Sequence, residues 1–297
     1  MQPRGVLENL HIKLLLDENP VDARLVARIN NANIRAYLGS PDLSSLNGFV
    51  SAGLRNGWID IHNQDFMVRF ATTFRDHWHF DSAVGRLEYE YVPGLLKLNS
   101  DLIVLSEKGM QVSGSFQVNL PRDRRTQSWG LVIGIADADL SEKRRFLPFT
   151  IADDTYEWLD RAVVSGHVID SGLMFHGTLN RQAPSVEKSY ELYFNVEDAI
   201  LDYDPDWPKV SEMVGKVYLG NWGAEAKAIA ARIYGSQITA ADVTVPFDQN
   251  GKTSVVEILG EMSGAGSDGV RLLSETPLAD ELDNMAEDWR AEGDINV

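Results

Sequence analysis

Residues able to do chemistry are few in this sequence and poorly grouped. His77-Trp-His79 places two imidazoles on one face of an extended segment, a spacing that binds zinc or copper when a third ligand approaches. Asp76 and Asp81 lie nearby, but no further histidine or cysteine follows at ligand spacing, so the pair reads as two polar side chains on a solvent face. Asp202, Asp204 and Asp206 alternate like the opening of a calcium loop. Trp207 stands where that loop needs its glycine, and no glutamate closes it at the twelfth place. Glycoside hydrolysis would need two carboxylates held on either side of one bond. Helix capping accounts for Asp153-Asp154 more simply. With no GxSxG, no HExxH and no phosphate-cradling glycine loop, the expectation is no catalytic residue, no metal centre and no cofactor.

Composition narrows the partners. Across 297 residues, 27 Lys and Arg face 44 Asp and Glu, a formal charge of -17, so the field as a whole repels a polyphosphate backbone and nucleic acid is not an expected partner. A hydrophobic fraction of 44% with 24% charged residues is that of a folded protein. Disulfides and thiolate sites are excluded because there is no cysteine, which leaves the redox compartment open. No apolar run reaches the roughly 18–20 residues that span a bilayer, and Met1-Gln-Pro-Arg4 opens no recognisable signal peptide.

The elements that must position any functional surface are strands. The dominant period is two, which sorts side chains onto opposite faces. In Met110–Leu120 the residues Met110, Val112, Phe116, Val118 and Leu120 fall on one face, with Gln111, Ser113, Ser115, Gln117 and Asn119 on the other. The pattern returns in Leu10–Leu16, Leu87–Tyr91, Trp129–Ile135, Leu173–Leu179, Leu192–Val196 and Val243–Phe247. Asn56-Gly57, Glu107-Lys108-Gly109 and Asn250-Gly251 punctuate these runs as hairpin turns do, which predicts an antiparallel meander. Three segments read as short amphipathic helices: residues 154–164, 208–214, where Pro208 suits a first helical turn, and 277–289. No helix follows each strand, so a doubly wound sheet is set aside. The expected fold is mainly β, a long, twisted antiparallel sheet curled into an open hydrophobic groove. Residues 1–150 and 151–297 would be two segments of one continuous structure and a fragment of a longer chain.

A resemblance adds to this. Phe146-Leu-Pro148, Trp158-Leu159, Gly166 and Leu173–Gly177 follow the order of features in the central region of the YhdP-type AsmA-like envelope proteins. Ala199-Ile-Leu-Asp-Tyr-Asp-Pro-Asp-Trp-Pro208 resembles the family's hydrophobic strand running into Pro-x-Trp-Pro, and Glu275-Thr-Pro-Leu278 and Gly293-Asp-Ile-Asn296 follow in the same order. Ala183-Pro-Ser-Val186 departs from the more aromatic step of the family, and the family's N-terminal inner-membrane helix has no counterpart here. The resemblance implies a periplasmic location within an inner-membrane-anchored protein, phospholipid acyl chains as partner, and a role in a bridge that moves phospholipid between inner and outer membrane. A non-transporting scaffold of outer-membrane assembly is the alternative.

The physical requirement of such a bridge can be stated. About thirty methylenes of a phospholipid cost on the order of 25 kcal/mol to hydrate at roughly 0.8 kcal/mol each, and a conduit must remove that cost along its whole length. A uniform lining serves this better than any tight pocket. The lipid-groove candidates are Val112, Phe116, Val118, Leu131, Ile133, Phe175, Leu192, Phe194 and Val196, which would form an ordinary sandwich core if a second sheet covered them.

Overall fold

A computed structural model describes residues 4–16, 22–36, 40–149, 151–178, 180, 183–247, 255–286 and 288–296. The strands are β1 (Arg4–Leu15), β2 (Asp22–Ile34), β3 (Asp42–Gly53), β4 (Asn56–Arg69), β5 (Trp78–Val92), β6 (Leu95–Ser100), β7 (Ile103–Glu107) and β8 (Met110–Pro121). They continue as β9 (Ser128–Asp139), β10 (Val163–Gly177), β11 (Lys188–Leu201), β12 (Val210–Gly220), β13 (Gly223–Ile233), β14 (Ser236–Pro246), β15 (Glu257–Ala265) and β16 (Asp294–Asn296). All sixteen belong to one antiparallel sheet in chain order, except that the short β7 pairs with β5 and β8. The meander expected from the turn signals is therefore present. Lys108 and Gly109, with φ of 48° and 100°, make the tight turn between β7 and β8. Asn250-Gly251 lies outside the described residues.

The alternation is not simple, because many strands contain a bulge. Asn9, Asn31, Ser45, Asp65, Asp137, Asp198 and Glu212 all lie inside strands with φ between 49° and 61°. At Asn9, Asn31, Ser45, Asp198 and Glu212 the strand register shifts. An extra residue in the left-handed region lets the apolar face resume after a step of three instead of two. Thus Ile29 is followed on its face by Ala32, Leu46 by Leu43 running backwards, and Val196 by Ala199. Asn and Asp hold most of these places because a short polar side chain tolerates this backbone.

Side-chain amides stitch the bulges together. The Asn31 N–H donates to Asn47 Oδ1 at 2.9 Å, and the Asn47 N–H donates to Asn63 Oδ1 at 2.8 Å. Both Asn47 and Asn63 return a donor to the Ser45 carbonyl, and the Ser45 N–H reaches Asn33 Oδ1 at 3.2 Å. The backbone groups that the bulges remove from the ladder are in this way satisfied, as buried groups must be. Gly48, with φ of 155°, lies so close to β4 that a Cβ there would collide with the Asp60 carbonyl.

Two compact units are present. The first holds Met1–Ala136, Pro148–Thr150 and Gly172–Tyr190, and the second Asp137–Leu147, Ile151–Ser171 and Glu191–Val297. The helix read at 154–164 corresponds to α1 (Asp153–Ala162), tied down by a bidentate Arg144–Asp160 pair and by Trp158 Nε1 donating to the Tyr203 carbonyl at 2.9 Å. The helix read at 208–214 is a correction: β12 begins at Val210 and runs through it. The bulge at Glu212 places Val210, Met213, Val214 and Val217 at steps of three, one and three, which imitates helical spacing in an extended strand. The third reading, 277–289, shrinks to α3 (Leu278–Glu281), because Asp283 and Asn284 both adopt positive φ and stop the helix. A helix that the sequence did not signal, α2 (Gly266–Ser274), precedes it. Its Asp268 accepts hydrogen bonds from Ser236 Oγ at 2.7 Å and the Gly235 N–H at 3.1 Å.

Candidate functional site

Residues directly opposite one another in an antiparallel pair share a face, so the register traces the apolar surface strand by strand. In the first unit one unbroken row runs Ile12, Leu25, Ala52, Gly57, Tyr89, Leu98, Val118, Trp129, across β1 to β6, β8 and β9. At about 4.8 Å per strand that is a path of roughly 34 Å. A parallel row on the same face passes through Ala27, Val50, Ile59 and Leu87. In the second unit the row is Phe194, Val217, Ala226, Val243, Ile258, across β11 to β15.

Among the sequence candidates, the first unit brings Val112, Phe116, Val118, Leu131 and Ile133 onto one face. Phe116 pairs with Leu131, Val118 with Trp129, Gly114 with Ile133 and Val112 with Ile135. Phe175 lies half-buried in β10. In the second unit Leu192, Phe194 and Val196 lie opposite Leu219, Val217 and Gly215. Only Val118 and Val196, at 2% and 5% exposure, are fully covered. The other seven remain half-exposed.

Seven of the nine thus keep part of their surface in contact with water. Among the described residues no strand forms a second sheet against this face.

The opposite face carries internally paired charges beside exposed Val26, Phe49, Val84 and Val132. Arg86 makes a bidentate contact with Asp60, at 2.5 and 2.9 Å, while its guanidinium stands 4.8 Å from the Trp58 ring centre. The Arg86 hydrogen bond holds the Asp60 carboxyl below its ordinary range, against the opposing effect of burial. Arg24 donates to Ser51 Oγ at 3.1 Å and to Asn56 Oδ1 at 2.7 Å. In the second unit Lys227 pairs with Glu225 at 3.0 Å. The apolar rows carry one hydroxyl, Tyr89, which donates to the Gly53 carbonyl at 2.6 Å.

The chemistry-bearing residues singled out from sequence are not assembled into a site. His79 Nε2 meets Asp65 Oδ1 at 2.6 Å, and no group of three metal-ligating side chains occurs among the described residues. Asp204 accepts from the Asp206 N–H at 2.9 Å, and Asp202 pairs with Lys209 at 3.0 Å, so the three aspartates organise a turn. Sequence reasoning read Tyr89 and Val243 on alternating apolar faces but did not name them, or Leu25, Ile59, Leu98 and Val217, among the lining candidates. An Asn or Asp at most slips from period two to period three, with Ser45 and Glu212 at two others, was the available signal.

Among the described residues no helix is long and apolar enough to cross a membrane. A family model described as YhdP protein matches residues 1–297. The intermembrane phospholipid transporter YhdP of Escherichia coli (strain K12) is 22% identical over 301 residues, a match that covers 100% of this chain and 23% of that relative. The chain thus spans about a quarter of the length of the relative it matches. No solved structure matches it.

Proposed function

The chain belongs to the YhdP family, and from that premise we propose that it is a segment of a periplasm-spanning bridge that shields phospholipid acyl chains during transport between inner and outer membrane. The observation that carries the reading is the continuous row across eight strands of the first unit, part of it in contact with water and without a second sheet among the described residues. A row of aliphatic and aromatic side chains without a charged group offers an acyl chain an apolar environment at each strand, so sliding meets no deep trap. The ion-paired opposite face keeps water on the other side. Activity of this kind requires no catalytic group.

The test is phospholipid copurification. Phe116→Asp and Phe194→Asp place a charge at half-exposed positions of the apolar rows, where the side chain reaches water without breaking a packed core. We expect both variants to keep the β-rich circular dichroism of the parent and to lose bound phospholipid by mass spectrometry. If the parent carries no phospholipid at all, the chain acts as a scaffold instead. If the charged variants unfold, the face is a closed core.

A further inference from the structure

At one border of the first unit, where β2 and β4 end and β3 and β5 begin, the two faces differ sharply in chemistry. On the apolar side Phe70, Phe74 and Trp78 cluster, with ring centres 4.6 to 6.3 Å apart. On the polar side lies a cavity of about 270 Å³ lined by Arg35, Arg69, His77, Asn33, Ser44 and Asp42, among others. Arg69 and Phe70 are consecutive, as are His77 and Trp78, so the polar side chain and the aromatic at each place are divided only by the backbone.

The cavity is cationic in a chain whose net charge is -17. Two guanidiniums face one carboxylate. Asp42 Oδ1 already accepts the Ala36 N–H at 2.5 Å. Asp42 and Arg69 are opposite each other in the β3–β4 register, yet no ion pair closes between them among the described residues. Arg69 Nε is buried and has no hydrogen-bond partner among the described residues. A buried guanidinium nitrogen without an acceptor is costly, and oxyanions are the acceptors that suit its planar fork. The volume falls just short of the roughly 300 Å³ at which drug-sized pockets begin, so it suits a headgroup and not a whole lipid.

We propose that this border pocket binds the phosphate of a phospholipid headgroup, while the aromatic cluster across the backbone packs against the glycerol end of its acyl chains. The proposal rests on the lipid-track reading and adds to it a place where the polar end is held. Binding is noncovalent: Arg35 and Arg69 donate to phosphate oxygens, with Asn33, Ser44 and His77 positioned to complete the shell.

The experiment is ³¹P NMR on the full chain with two probes, inorganic phosphate and dihexanoylphosphatidylglycerol below its micelle concentration. The parent should broaden the lipid signal, and Arg35→Gln with Arg69→Gln should weaken that binding at least about tenfold, as expected for loss of charge-assisted hydrogen bonds. His77→Ala, at an exposed position that folding does not need, should weaken it less, and Arg232→Gln in the second unit should leave it unchanged. Inorganic phosphate broadened along with the lipid, and lost with it in the double variant, also supports the pocket. Phosphate broadened without the lipid contradicts a headgroup site and leaves a free-anion site. Lipid broadening that survives the arginine replacements overturns the pocket while the apolar track stands. No lipid broadening by the parent overturns both.

Discussion

Asn63 is polar at a place where alternation after Ile59 and Ile61 asks for an apolar residue, and it is only 3% exposed. The structure supplies the reason: its amide accepts from the Asn47 N–H and donates to the Ser45 carbonyl, closing the gap that the bulge opens in the ladder. Asn63→Ala leaves the Asn47 N–H without its acceptor and the Ser45 carbonyl with only the Asn47 amide, a loss of about 1–3 kcal/mol that a shift of the urea midpoint should report. Charged residues act at the surface and at low pH. Hydrogen bonds from Arg86 and Arg144 lower the carboxyls of Asp60 and Asp160 below their ordinary value of 3.8. A lowered folded-state value stabilises the fold above the unfolded value and is lost as pH falls through the folded one. These two pairs therefore predict melting temperatures insensitive to them between pH 6 and 8 (roughly two units and more above the carboxyl range) and a decline below about pH 4. That decline should shrink in Arg86→Met. The apolar sides of β8, β9 and β11 were legible as single residues because these strands alternate strictly between bulges. The Asn ladder was not, since its partners are 16 residues apart in sequence.

Strands were legible and their phase was not. Period two identifies β8 and β9 directly, but a left-handed residue inside β12 converts the same apolar residues into helix-like spacing, and only cross-strand pairing with β11 and β13 reveals an extended chain. The opposite failure concerns α2, whose Gly-Ser-Asp-Gly opening carries little helical propensity. Its position is fixed by Asp268 against β14. Asp268→Ala should free α2 by removing two hydrogen bonds to a carboxylate, destabilising its attachment by about 1.5–3 kcal/mol each at most. Hydrogen exchange should show this as lost protection confined to α2 and its neighbours. The β3–β4 pair depends on Gly48 in a different way. Gly48→Ala both enforces a backbone conformation that L-residues avoid and drives a methyl into the Asp60 carbonyl. The expected result is a drop in melting temperature of several degrees, larger than for alanine at an exposed strand position.

Within each unit, what joins residues and elements is the continuity of one face. Sequence alone cannot decide whether an alternating apolar face meets a second sheet or remains open, because both give the same period. Phe116, Leu131 and Phe194 keep part of their surface in water, as the lining of an open face would. The bulges that hide the face from a strict period-two reading also keep it continuous, carrying the apolar side across each extra residue. The central claim is that acyl chains occupy this face, and site-specific photo-crosslinking in the intact protein tests it most directly. A benzophenone side chain at Phe116, Leu131 or Phe194 should form phospholipid adducts in an intact envelope, whereas one at Gln117 or Lys216, on the opposite face, should form none. Adducts at neither set, or equally at both, would contradict the account.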